Sequence, residues 1–314
     1  MSTPATSVDP AIRKPLDHEI DTWGLTHVGN KRQLNQDNFV VAALHKRTQV
    51  LQSSVDGLAT MLGGDERLAY LIMVADGVGG AELGEEASRL AVATAMEYVS
   101  ESMRCYYTSQ EDPGQFAEEL QQAAMQCHER VQAHAHEARA ASMATTLTVF
   151  LGVWPNAYLM QVGDSRYYVY RDDQLTQVTR DQTMAEDLVD QGIITRTAAM
   201  RTPLAHVLSS AIGGEQTTPV VTRLQAHRGN VHLLCSDGLT KHVSDERIKA
   251  RLATMTSSRQ ACEAGQTKRG QPCCSGGGAT ACQTGLACSG MMCGAPVDAA
   301  PPVDGGAQDL APGQ

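Results

Sequence analysis

Positive charge is in short supply. The chain carries 25 Lys plus Arg against 35 Asp plus Glu, a formal net charge of −10 over 314 residues. Nucleic-acid binding needs a basic patch, so no nucleic-acid partner is expected. Long apolar runs are lacking as well. No stretch approaches the roughly 18 apolar residues of a membrane span. The opening MSTPATSVDPAIRKPLDHEI has no apolar segment of signal-peptide type. The expected compartment is therefore the cytoplasm, with no membrane partner. Cysteine is scarce through most of the chain, since only Cys105, Cys127 and Cys235 precede residue 260. Cys235 lies in an apolar run and reads as a core residue. The glycine-rich DGVGGAELGEEAS has no Lys or Arg before Arg89. That excludes a phosphate-cradling P-loop, which needs G-x-x-x-x-G-K-[ST].

What is present is a chain that can build a core, 42% apolar and 19% charged, in the range of soluble globular proteins. Residues 1–21 are polar and read as a flexible leader. WGLTHVG and NFVVAAL read as strands, with a long connection over 46–66. LAYLIMVADG is apolar throughout, which predicts a strand buried on both faces. Two long helical stretches follow, GEEASRLAVATAMEYVSESM and 115–140. The pattern then changes to ATTLTVFLGVWPNAYLMQVGDSRYYVYRDDQLTQVT, whose β-branched and aromatic runs are broken by turns, as in an antiparallel meander. VVTRLQA and NVHLLCSDG are further strands. Ser244 is placed as the N-cap of SDERIKARLATM. Segregated blocks of strands and helices predict an α+β fold rather than alternating βαβ units.

Four acids stand at strand ends or turns: Asp37 in NQDNF, Asp76 in VADGVGG, Asp164 in VGDSR and Asp237 in CSDGLT. A carboxylate delivered by a buried strand is costly unless something compensates it. A shared divalent cation is one compensation, because hard cations take oxygen ligands. Asp-Gly is also a common turn pair, so each case taken singly has a plain structural reading. His134 and His136 lie at i, i+2 on a helix and do not face one another. No site is expected there.

The order of motifs carries a resemblance. GNKRQLNQDNF, VADGVGG, ATTLTVFLGV, LMQVGDSRYYVYRDDQLTQVTRDQT, HVLSSAIGG and LLCSDGLTKHVSDERI together resemble the bacterial metal-dependent serine/threonine phosphatases of the PP2C family, over residues 22–258. The resemblance implies a four-layer α-β-β-α sandwich, two antiparallel sheets flanked by helix pairs. It implies two Mn²⁺ or Mg²⁺ ions per site, phosphorylated proteins as partners, and a monomer. It matches Arg32 to the arginine that holds the substrate phosphate, for which a guanidinium fork is suited. Asp76 corresponds to the carboxylate bridging two metals, Gly77 to a carbonyl ligand, and Asp37 and Asp237 to further ligands. Asp164 corresponds to an acid of a weaker third metal.

The chain also departs from the family. Val78 stands where some members carry a His. Lys241 stands where many have an acid for the third metal, and a cation there would weaken that metal. Gln36 replaces a common Glu. The closing Asp-Asn turn and the last core strand are expected to be missing. In their place come a Cys-rich segment, 259–293, with six cysteines from Cys262 to Cys293, and a low-complexity tail, 294–314. The six cysteines fit a three-disulfide framework only in an oxidising compartment. Two explanations stay open: a fused or frame-shifted product that has lost the closing segment, which is the favoured one, or a variant in which Asp298, Asp304 or Asp309 stands in for the missing ligand. Two further readings follow: an impaired pseudophosphatase that binds phosphoproteins, and an extracellular Cys-rich protein with a vestigial domain.

Overall fold

The structure is a computed structural model that describes residues 13–29, 33–47, 65–79, 81–102, 113–140, 142–263 and 291–294. The strands are β1 Ile20–Trp23, β2 Asp37–Arg47, β3 Asp65–Val78, β4 Ala144–Thr145, β5 Leu147–Val153, β6 Asn156–Val162, β7 Arg166–Arg171, β8 Gln174–Gln177, β9 Val220–Gln225, β10 Val231–Cys235 and β11 Met291–Gly294. The helices are α1 Ala81–Ser102, α2 Pro113–Glu137, α3 Met184–Asp190, α4 Arg196–Ala199, α5 Asp237–Thr240, α6 Asp245–Ala253 and α7 Ser258–Glu263. One sheet runs β1-β11-β10-β7-β8, the other β2-β3-β5-β6-β9 with β4 on β3. All pairings are antiparallel.

The apolar run of β3 explains the layering. Side chains alternate across a strand. Leu71, Met73 and Ala75 join Ala87, Ala91, Ala95, Leu120 and Ala124 of α1 and α2 in one cluster. Ile72 and Val74 face inward with Phe150, Leu159, Tyr167 and Leu234. In β10 the same alternation sends Leu233 and Cys235 to Leu239, Ile248, Leu252 and Ala261 of α5, α6 and α7. Three clusters separate four layers, helices outside and sheets inside. The expected sandwich is observed.

Two expectations are corrected. The first strand is Ile20–Trp23, and residues 24–29 are not strand. The last strand is not missing. β11, from within the Cys-rich stretch, lies between β1 and β10 and pairs with both, Met291 opposite Trp23 on one side and Leu233 on the other. Cys262, the first of the six cysteines, is buried in α7. The leader up to residue 12, most of the Cys-rich segment and the tail beyond 294, with Asp298, Asp304 and Asp309, lie outside the described residues. Among the described residues no helix is long and apolar enough to cross a membrane.

At one end of the sandwich is a cavity of about 100 Å³, bordered by Arg67, Tyr70, Phe150, Trp154, Asn230 and His232. His232 Nδ1 and the Tyr167 hydroxyl lie 2.6 Å apart, and Phe150 packs on the imidazole with ring centroids 5.1 Å apart. Burial pushes the imidazole down to about 4. The unfolded chain takes up this proton near pH 6.5, the folded chain only near 4, so stability falls as pH drops through that window. At about 1.4 kcal/mol per pH unit of difference, the loss is at most about 3 kcal/mol. Urea unfolding at stepped pH should show this slope in the parent and a flatter one in His232→Gln.

A second expectation concerns β11. A chain ending at Glu263 loses the backbone pairing on the facing edges of β1 and β10. At about 0.5–1.5 kcal/mol net per hydrogen bond, the cost should be at least ~2 kcal/mol. An unchanged urea midpoint for that truncation would show that the strand contributes nothing.

Candidate active site

Register brings the first two acids together. β2 and β3 pair so that Asp37 lies directly opposite Asp76. Both are buried, at 8% exposure each, and their carboxyls share a hydrogen bond. Asp76 is not at the end of its strand but two residues inside it. Its backbone is held on every side. The Asp76 N–H donates to Thr146 Oγ1 at 2.9 Å. Its carbonyl accepts from Thr145 Oγ1 and from the Thr146 N–H, each at 2.9 Å.

The glycines serve close packing. A Cβ on Gly77 would stand 2.0 Å from the Gly84 carbonyl oxygen, and one on Gly84 would stand 2.1 Å from the Gln36 amide nitrogen. The turn after Asp76 and the first turn of α1 thus approach at backbone distance. That is the local reason for bare backbone here.

The other sheet supplies the third acid. Ser236 follows β10, and its hydroxyl donates to Asp37 Oδ2 at 2.8 Å, tying the two sheets together. Asp237 then opens α5. It pairs with Lys241 one turn on. Asp164 sits in the turn between β6 and β7. Its neighbour Ser165 shares a 2.8 Å hydrogen bond with Thr146, the same hydroxyl that holds Asp76.

The electrostatics follow from crowding. Burial first, then the charges of Asp37, Asp237 and Asp164 and the hydrogen bond with Asp37, push Asp76 well above the usual carboxylate range. Burial, then Asp237 and Asp181, push Asp164 up to about 7, opposed by Lys241 and a backbone hydrogen bond. Arg166 binds Asp181 through two nitrogens, Nε at 2.9 Å and Nη2 at 2.7 Å. Val78, at the rim, is 41% exposed and offers no proton.

Of the predicted site residues, Asp37, Asp76, Gly77, Asp164 and Asp237 are brought to one end of the sandwich. Arg32 lies outside the described residues. Among the described residues, no three acidic, histidine or cysteine side chains are gathered closely enough to hold an ion as they stand. The chemistry of the donors still fits a hard divalent cation. They are carboxylate oxygens, and a 2+ charge would relieve the repulsion that burial imposes on Asp76.

The sequence reading missed the hydroxyls of Thr145, Thr146, Ser165 and Ser236. Their only signal is position, each beside an acid or opposite one. Removing the Ser236 hydroxyl leaves a buried carboxylate short of a donor. Ser236→Ala should cost roughly 1–3 kcal/mol in chemical denaturation, with the far-UV spectrum unchanged.

The fold and the acids define a class, an α-β-β-α sandwich with an acidic centre where its two sheets meet. The protein phosphatase 2C family model matches residues 52–269, more than half of the chain. The chain belongs to the protein phosphatase 2C family. It is 36% identical over 181 residues to the serine/threonine protein phosphatase PstP of Mycobacterium tuberculosis, covering 57% of this chain and 34% of PstP. It is 28% identical over 181 residues to the serine/threonine phosphatase stp of Listeria innocua, covering 57% of this chain and 70% of that relative. The chain thus spans about a third of the length of the mycobacterial relative. Among solved structures, the catalytic domain of PstP in complex with two manganese ions has a TM-score of 0.52 and 32% identity, covering 72% of this chain and 90% of that one. A Streptococcus agalactiae serine/threonine phosphatase has a TM-score of 0.63 at 22% identity, over 78% of this chain and 90% of that one, a likeness of fold.

Proposed function

We propose that this chain is a metal-dependent phosphatase acting on phosphoserine and phosphothreonine in proteins. The observation that carries the reading is the buried pair Asp37–Asp76 with Asp164 and Asp237 close enough to raise Asp76. Such an arrangement is unfavourable by itself and becomes useful with cations. The chemistry supplied by a pair of Mn²⁺ or Mg²⁺ ions, when bound, is activation of water and neutralisation of phosphoryl oxygens. In this reading Asp76 and Asp37 hold the ions from one sheet, Asp237 from the other, and Asp164 lies beside them. The Gly77 carbonyl is a further oxygen donor. Arg32 orients the phosphate. Thr145, Thr146 and Ser236 fix the acids in place, so that little reorganisation is needed on binding. The partners are phosphorylated proteins, the substrates or regulators of a serine/threonine kinase.

A second reading, a phosphoprotein-binding module without turnover, draws on one observation. Lys241 occupies Asp237, and among the described residues no ready ligand set is assembled. Turnover separates the two. With Mn²⁺, the purified chain should hydrolyse p-nitrophenyl phosphate and a phosphothreonine peptide, and chelator should abolish both. Asp76→Asn keeps shape but halves the ligand's oxygens. It should lose roughly 10²-fold or more in activity while its metal-free melting temperature stays level or rises, because a buried carboxyl has been neutralised. Hydrolysis unaffected by chelator, or by Asp76→Asn, would sink the metal reading.

A further inference from the structure

Lys241 places a positive charge inside the acidic centre. Asp237 is the first residue of α5 and Lys241 is its C-cap. One helical turn separates them, so the lysine side chain folds back onto the carboxylate and the two are in ion-pair contact. The carboxylate end of the pair is the more buried, the Asp237 side chain being 21% exposed and that of Lys241 37%. The ammonium charge also reaches Asp164, which itself lies within the influence of Asp237. The centre therefore has two halves. Asp37 and Asp76 share a hydrogen bond in one. In the other, Asp237 holds a tethered cation whose charge also acts on Asp164.

An ammonium is a compact point charge with three donors. Toward two carboxylates it satisfies the same need as a small metal ion, with half the charge of a divalent one and no open coordination positions. We propose that Lys241 is a resident cation that holds the Asp164–Asp237 half of the centre, so that a divalent ion binding at Asp237 must displace it. This rests on the metal-dependent reading above. It adds that the chain sets its own threshold for metal, with the ion on Asp37 and Asp76 binding ahead of any that needs Asp237.

The test is direct metal binding by the full chain, followed by calorimetric titration with Mn²⁺ and by counting bound ions in the electron paramagnetic resonance spectrum. Lys241→Met removes the charge and keeps most of the stem. Lys241→Gln is a second neutral variant, should the first fail to fold. Either should bind Mn²⁺ at Asp237 about tenfold tighter or more, or hold one more ion at equal free metal. Lys241→Arg, which keeps the charge, should stay near the parent. Equal or weaker Mn²⁺ binding by both neutral variants overturns the role of Lys241 while leaving the metal reading intact. Absence of Mn²⁺ binding in the parent and all variants, at millimolar metal, overturns the metal reading and this inference with it.

Discussion

Two carboxylates face each other across the β2–β3 ladder, and much of the structure answers the cost of that one juxtaposition. Like charges directly opposite are destabilising even on exposed sheets, and Asp37 and Asp76 are buried. A slip by one residue would send both to the other face and also turn every apolar side chain of β3 around. Register is therefore locked by the core. The eleven-residue β2 and fourteen-residue β3 carry enough apolar surface, on two faces, to hold an unfavourable pair in place.

The local devices around the pair act on orientation rather than on charge. Thr145 and Thr146 bind the backbone of Asp76, and Ser236 binds the carboxylate of Asp37 from the opposite sheet. Ser165 binds Thr146 in turn. Each hydroxyl belongs to a residue next to, or opposite, an acid, so the strand that delivers a carboxylate also delivers the group that steadies a neighbour. None of these bonds removes negative charge. A cation must do that. Lys241 is the side chain in ion-pair contact with Asp237, and it answers for only part of the excess.

The fold was legible in the sequence where periodicity and burial agree. The unbroken apolar run of β3 signalled a strand covered on both faces, and Leu71 and Ile72 go to opposite clusters. The meander was legible because turn residues separate β-branched runs. The first strand was misplaced because WGLTHVG looks like a strand by composition, while pairing is limited by a four-residue partner. Gly24 is instead pressed against the Phe39 ring, where a Cβ would stand 2.1 Å away. The acids were legible from their repeated strand-to-glycine or strand-to-serine context. The hydroxyls were not, since a Ser or Thr beside an Asp is common in any turn and only the tertiary pairing gives it a role.

The final strand was illegible for a different reason, and that reason bears on function. MMCG has no alternation, no β-branched residue, and glycine at its end. It lies between β1 and β10 through backbone pairing on both sides, and peptide groups are common to every sequence. A ladder position can therefore be filled by a segment unrelated to any family pattern. A metal ligand cannot, because it needs a particular carboxylate at a particular place. Fold and ligand set are separable in this chain, and they rest on different parts of it. The sandwich requires only that something pair between β1 and β10. In the proposed function the chemistry rests on Asp37, Asp76 and Asp237, and Lys241 is in ion-pair contact with the last of these. That separation allows an intact phosphatase fold to carry either a working centre or a silent one, with the difference lying in the acids and their one tethered cation rather than in the scaffold.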